Sequence, residues 1–250
     1  MVVKHCLFLH VPKTGGTYVA RNDVLKPIFD LNHAVLVHMP YTGPQTYPPT
    51  PGYSPSMREN IKLVTKPYRL CFATVRNPYD WLVSYWHHVG KDIPESDYIL
   101  PGNPDYRSAR KGFDYFVRTI ADRDSGWPCR KLIHFAFFAY HGDFVVDWLL
   151  RQERLEEAIK EFALIMELEY TQRGRTKVSK RESRDHRFYY NDNLAMVVQE
   201  TWGREMWLFG YDFNGPTFGF LESMVPPEDK KRIKYHWDTD KLLLDREEIK

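Results

Sequence analysis

Two short segments carry residue types at spacings that suit the binding of oxyanions. The first is Val11-Pro12-Lys13-Thr14-Gly15-Gly16-Thr17-Tyr18, which follows an apolar run and opens a helical pattern. Glycines let a backbone curl so that several N–H groups converge on one anion, and a following helix adds the positive end of its dipole. Thr14 and Thr17 bring hydroxyl donors, and Lys13 brings a movable positive charge. A Walker A loop needs a longer interval between its glycines and then Gly-Lys-Ser/Thr. Here the lysine precedes the glycines, so the segment is of another kind. The plain alternative is a glycine-rich turn with a solvated lysine.

The second segment is Cys-Phe-Ala-Thr-Val-Arg-Asn-Pro-Tyr-Asp-Trp-Leu-Val-Ser at 71–84. Arg76 sits where a strand ends. Ser84 lies two helical turns on, facing the same way as Tyr79 and Asp80. An arginine fork and a hydroxyl can share one phosphate through charge-assisted bonds. The competing reading pairs Arg76 with Asp80 and leaves Ser84 on a helix face. A third feature is the stretch 173–187, with seven cations (Arg173, Arg175, Lys177, Lys180, Arg181, Arg184, Arg187) against Glu182 and Asp185. Such a run is a solvated face or an anion-facing loop.

The elements expected to position these residues alternate. Residues 4–10 read as a buried strand, and a helix is expected from Thr17 to Phe29. An apolar run from Ala34 to Val37 reads as a second strand, delivering His38 to the same edge as the two phosphate segments. Residues 39–57 hold six prolines and three tyrosines and read as a stiff loop. Leu70 to Val75 reads as a strand, with Pro78 in the first turn of a helix reaching Val89. Residues 90–112 read as a loop, 113–121 and 132–140 as helices, and 144–149 as a strand. Glu153 to Met166 has the period of an amphipathic helix, Leu194 to Trp207 is a further helix, and 208–213 closes the pattern. Alternation at this spacing predicts an α/β fold with a mostly parallel central sheet flanked by helices, and ligands beyond the carboxyl ends of its strands.

The whole chain agrees with a folded enzyme or binding domain. It has 250 residues, of which 43% are hydrophobic and 27% charged. The formal net charge of +2 does not call for nucleic acid as a partner, so an anion site must come from local clustering. Cys6, Cys71 and Cys129 lack metal-ligand or CxxC spacing and read as reduced thiols. No apolar run reaches the ~18 residues a membrane helix needs, and the expectation is a cytoplasmic protein without a membrane span.

Taken in order, these motifs resemble the PAPS-dependent sulfotransferase superfamily, in its carbohydrate-type and bacterial branch. Pro-Lys-Thr-Gly-Gly-Thr at 12–17 looks like the family's 5′-phosphosulfate loop. Val-Arg-Asn-Pro-Tyr-Asp-Trp-Leu-Val-Ser at 75–84 looks like its 3′-phosphate segment, with the same interval from Arg76 to Ser84. Asp147 to Leu155, Val178-Ser179-Lys180-Arg181, Tyr189-Tyr190-Asn191-Asp192 and Leu208-Phe209-Gly210-Tyr211-Asp212-Phe213 are similar to later pieces of that branch. The resemblance spans about residues 4–213 of a single domain, 1–250, with 214–250 as an extension. It implies a P-loop-like three-layer fold. It also implies that Lys13 contacts the 5′-phosphate and the leaving oxygen, and that Thr14, Gly15, Gly16 and Thr17 cradle the phosphosulfate. Arg76 and Ser84 would hold the 3′-phosphate. Ser179, Lys180 and Arg181 would close over the nucleotide. Tyr18 would stack on adenine, or else serve as a core tyrosine.

The activity implied is transfer of a sulfuryl group from PAPS to an acceptor hydroxyl or amine, releasing PAP, with no metal. His38 is the candidate general base. His10, His33, His87, His88 and Glu59 are its rivals. The acceptor is a small molecule or carbohydrate, with Tyr41, Tyr47 and Tyr53 on the 39–57 loop as a lid over it. Trp237 and Leu242 to Leu244 would dock on the core or on a second subunit, which leaves a homodimer open. Two other readings stand beside this one. A P-loop kinase lacks its Gly-Lys-Ser/Thr here, and a non-catalytic adenosine-bisphosphate binding module needs no base.

Overall fold

Cys6-Leu-Phe-Leu9 is a continuous apolar run, and it forms the first of several parallel strands. A computed structural model describes residues 6–22, 25, 29–32, 70–92, 104–123, 139–140, 143–170, 181–219, 221, 225, 233–236 and 241–244. The chain divides into two compact units. One comprises Met1–Val75, His134–Arg173 and Leu221–Lys250, and the other Arg76–Ile133 and Gly174–Phe220.

The first unit is built on a sheet of β1 (Cys6–Leu9), β2 (Phe29–Asn32), β3 (Leu70–Val75) and β6 (Trp148–Arg151). Their order is β2-β1-β3-β6, and every neighbouring pair is parallel. The register sets Phe8 beside Phe72 and Phe72 beside Trp148. On that face, Cys6, Phe8, Phe72, Trp148 and Leu150 pack with Val19 and with Leu155, Ile159 and Phe162. The last three line one face of α5 (Leu155–Ile165), so the amphipathic period of the sequence meets the sheet as expected. Leu7, Leu9, Ala73 and Leu149, which alternate with those residues, are buried too. Strands buried on both faces read as unbroken apolar runs, which is why β1 and β3 were legible.

Several expectations need correction. The first helix, α1, spans only Gly16–Ala20. Buried Asn22 ends it, because its side-chain oxygen accepts from Leu25 N at 3.2 Å and offers the backbone an alternative to another helical turn. Phe29, expected to end that helix, instead begins strand β2. The helix expected to reach Val89 ends at His87, a π-helical turn His88–Asp92 runs on into the 90–112 stretch read as loop, and Pro104–Arg110 within that stretch is helix α3. At the end of the expected 132–140 helix, Ala139–Tyr140 is the short strand β4. The single strand expected at 144–149 is two, β5 (Asp143–Phe144) and β6. The stretch after residue 213 contributes β9 (Ile233–His236) and β10 (Lys241–Leu244), and these join an antiparallel sheet of order β10-β9-β5-β4. The expected strand at 34–37, the 39–57 loop and Cys129 lie outside the described residues.

The second unit is helical. Helix α2 (Pro78–His87) has Pro78 at its start and Asn77 as its cap, whose side chain accepts from Tyr79 N at 3.0 Å. Helix α4 (Phe113–Ala121) and the long α6 (Asp192–Phe209) complete it, with a hairpin of β7 (Tyr211–Asp212) and β8 (Gly215–Pro216). Tyr79 Oη donates to the Ala195 carbonyl at 3.0 Å, and Asn77 Nδ2 donates to the Asp212 carbonyl at 2.8 Å, so α2 is tied to both ends of the α6–β7 segment. No described helix is long and apolar enough to cross a membrane.

If this core carries the first unit, Phe72→Ala should destabilise the protein by about 3–5 kcal/mol in urea unfolding. Phe72 is wholly buried, with ring centroids 4.9 Å from Phe8 and 4.8 Å from Phe162. Leu164→Ala, at a position 77% exposed on α5, should stay within about 0.5 kcal/mol of wild type. Equal effects from the two would contradict the packing described.

Candidate functional site

Each unit holds one of the two anion-type segments. In the first unit, the loop from Val11 to Gly15 leaves β1 and enters α1. Lys13 and Gly15 both have left-handed backbones, with φ of 67° and 89°. For a lysine that conformation is uncommon and sets the loop's path. Gly15 is also the cap residue of α1, and an added Cβ there would come within 2.7 Å of Leu155 Cδ2. Gly16 is needed for close approach. A Cβ on it would lie 1.8 Å from Cδ2 of the His10 imidazole. His10 is half-buried, and its ring lies 5.7 Å from that of Phe8.

The Thr14 hydroxyl is used within the protein. It donates to the Val11 carbonyl at 2.7 Å and lies 2.5 Å from the Thr74 hydroxyl on β3, with both threonines fully buried. The loop is thereby pinned to the central strand. What Thr14 can offer a ligand is its backbone N–H rather than its side chain. Thr17 is exposed. Tyr18 is half-buried and packs on the main core cluster beside Tyr170. The Tyr170 phenol is pushed up to about 12, first by desolvation and then by the Tyr18 hydroxyl. That surrounding is the one expected of a core tyrosine.

In the second unit, Arg76, Asp80 and Arg181 come together. Arg76 Nε and Nη2 both donate to Asp80 Oδ2, at 2.8 and 2.5 Å. Arg181 Nη1 donates to the other oxygen, Oδ1. The side chains of Arg76 and Arg181 are 9% and 7% exposed, and that of Asp80 is 16% exposed. Desolvation alone would raise the Asp80 carboxyl. The charge of Arg76, then that of Arg181, and their hydrogen bonds outweigh it and hold the group below its ordinary value. Arg181 is lowered, first by desolvation and then by repulsion from Arg76, which Asp80 partly offsets. Ser84, buried, lies one helical turn beyond Asp80 on α2. The alternative pairing of Arg76 with Asp80 is therefore present, and Arg181 adds a second cation to it.

Arg181 is delivered by a segment that docks on α2 at several points. The Tyr189 hydroxyl lies 3.2 Å from His87 Nε2 and accepts from Ser183 N at 3.1 Å. Tyr190 Oη donates to the Tyr79 carbonyl at 2.8 Å, and His186 Nε2 lies 2.7 Å from the Phe213 carbonyl oxygen. Asp185 caps the short turn His186–Tyr189 by accepting from Arg187 N at 3.0 Å. Ser179 and Lys180 lie outside the described residues, as do His38, His33 and Glu59. Of the other candidate bases, His87 is wholly buried and engaged with Tyr189, and His88 is half-buried in the π-helical turn. Among the described residues, no group of three or more His, Cys, Asp or Glu is arranged to hold a metal ion.

Sequence reasoning did not single out Asp80 as a bridge between two arginines. Half of the signal was visible in the interval from Arg76 to Asp80. The other half, Arg181, is about a hundred residues away in the chain and carries no local sign of its partner. Comparison with protein-family models, characterised proteins and solved structures returns no match for this chain.

Two outcomes check this description. Gly16→Ala should destabilise by roughly 1–3 kcal/mol through overpacking against His10. The double variant His10→Ala, Gly16→Ala should recover much of that loss in thermal unfolding, and no recovery would contradict the contact. Asp80, held low in the folded state, stabilises the fold fully above its unfolded pKa of about 3.9, and that contribution is lost as pH falls through the folded value. The stability difference between wild type and Asp80→Asn should thus be constant above about pH 5 and shrink below about pH 4. A difference that grows with acidification would be incompatible with the pairing.

Proposed function

We propose that this chain is a PAPS-dependent sulfotransferase with a P-loop-like, three-layer α/β fold, acting in the cytoplasm on a small-molecule or carbohydrate acceptor. The observation that supports the reading best is the buried cluster of Arg76 and Arg181 on one carboxylate, with Ser84 a turn away. Two cations and one anion leave a net positive charge with little water to screen it, which suits a phosphate dianion. The all-parallel order β2-β1-β3-β6, with a glycine loop leaving β1, is in keeping with the fold.

In this reading Arg76, Ser84 and Arg181 hold the 3′-phosphate, with Ser179 and Lys180 beside Arg181. Lys13 and the backbone N–H groups of Thr14, Gly15, Gly16 and Thr17 hold the 5′-phosphosulfate. The acceptor oxygen attacks sulfur in line, the bond from sulfur to the bridging oxygen breaks, and PAP leaves with that bond's electron pair. The acceptor's proton passes to a base, His38. Catalysis is then positioning plus stabilisation of charge on the leaving phosphate. No metal takes part in it.

PAP at ~100 times its dissociation constant should stabilise the protein by roughly 2.7 kcal/mol, or about 5–10 °C in Tm. ATP with Mg²⁺ should do much less, because it lacks a 3′-phosphate. An equal shift with ATP–Mg²⁺ would favour the kinase reading. Transfer of labelled sulfate from PAPS onto an acceptor pool tests the enzyme directly. Lys13→Ala should lower turnover by on the order of 10²–10³-fold at saturating PAPS. His38→Ala should lose ~10²–10⁴-fold while PAP affinity stays near wild type. Normal turnover in Lys13→Ala would remove the leaving-group role.

A further inference from the structure

The buried carboxylate between the two arginines has a consequence for any anion bound there. By charge alone, Asp80 is unfavourable to a phosphate, since it cancels one of two cations in a largely buried site. By geometry, it holds both guanidiniums. It takes the Nε and Nη2 donors of Arg76 on one oxygen and Nη1 of Arg181 on the other. Arg76 begins the turn into α2, and Arg181 belongs to a segment far along the chain. Asp80 is the residue that both touch.

Two guanidiniums brought together without it would repel, and each would lose the partner that makes its burial tolerable. Arginine is flexible, and less rotamer freedom is lost on binding when its planar fork is already held. Arg76 and Arg181 both act on Asp80, and the Tyr190 phenol feels its charge. Desolvation first, then the charge of Asp80, raises Tyr190 well above its ordinary value, so it stays neutral.

We infer that Asp80 is a positioning residue for anion binding: it clamps Arg76 and Arg181 into one preorganised pair, and without it the site binds phosphate worse despite carrying more positive charge. The inference rests on the phosphate-binding reading of this cluster. Its sign sets it apart from simple electrostatics, which predicts tighter anion binding once the carboxylate is neutralised.

The experiment is calorimetric titration of the full chain with PAP and, separately, with adenosine 5′-monophosphate. For wild type, PAP should bind more tightly than the monophosphate. In Asp80→Asn, PAP affinity should fall by roughly tenfold or more, as expected when a charge-assisted bidentate contact is lost. Affinity for the monophosphate, which lacks a 3′-phosphate, should stay unchanged. A merely structural defect would weaken both nucleotides together. Asp80→Glu keeps the charge and lengthens the arm, and it should also weaken PAP selectively. It carries the test if Asp80→Asn does not fold. The double variant Asp80→Asn, Arg181→Gln should bind PAP no worse than Arg181→Gln alone, because the clamp is already broken. Equal or tighter PAP binding in Asp80→Asn or Asp80→Glu would overturn the inference. Failure of wild type to bind PAP would overturn the phosphate reading, and the inference with it, before any variant is made.

Discussion

Taking Asp80 out of water is unfavourable unless positive charge goes with it, and Arg76 and Arg181 supply that charge from distant parts of the chain. Much of the second unit follows from meeting this condition. Arg76 must stand just before α2, which the Asn77 cap and Pro78 ensure by starting the helix there. Arg181 must be carried to α2, and the Ser183–Tyr190 segment does so through hydrogen bonds at Tyr189 and Tyr190. Edge-to-face packing of Tyr190 on Tyr79, Phe113 and Phe213 anchors the end of that segment.

The first unit solves a different problem, which is how to bend a chain sharply at the end of a buried strand. Lys13 and Gly15 take up left-handed backbone, and the pair of threonine hydroxyls at 14 and 74 fastens the bend to β3. The imidazole of His10 fills the space that Gly16 leaves. Sheet and loop therefore set each other's geometry, and β1 and β3 beneath are buried on both faces.

Much of this was legible in the sequence where one local signal sufficed. Unbroken apolar runs gave β1, β3 and part of β6, helical periods gave α4, α5 and α6, and Pro78 marked the start of α2. Reading failed where two local signals conflicted or where the determinant lay elsewhere. Leu25 and Phe29 fit a helical spacing, and that period was followed past Asn22 and Pro27, either of which stops a helix. Phe29-Asp-Leu-Asn32 is too short and too polar to declare itself, and it becomes a strand by pairing with β1. In the tail, β9 likewise pairs with β5, about ninety residues earlier, and β10 pairs with β9. At the candidate site, the loop and Arg76 were visible as motifs. The commitment of the Thr14 hydroxyl, the bridge through Asp80 and the docking of Tyr189 and Tyr190 were not, since each is a contact between distant residues.

In the proposed function, a pair of arginines held by Asp80 receives a phosphate of an adenosine bisphosphate. A crystal structure of the protein grown with PAP tests it most directly. The account predicts the 3′-phosphate within hydrogen-bonding distance, about 2.7–3.1 Å, of both Arg76 and Arg181 and near Ser84, with Asp80 still bridging the two guanidiniums. A PAP molecule whose phosphates contact neither arginine, or an Asp80 carboxylate turned away from both, would contradict it.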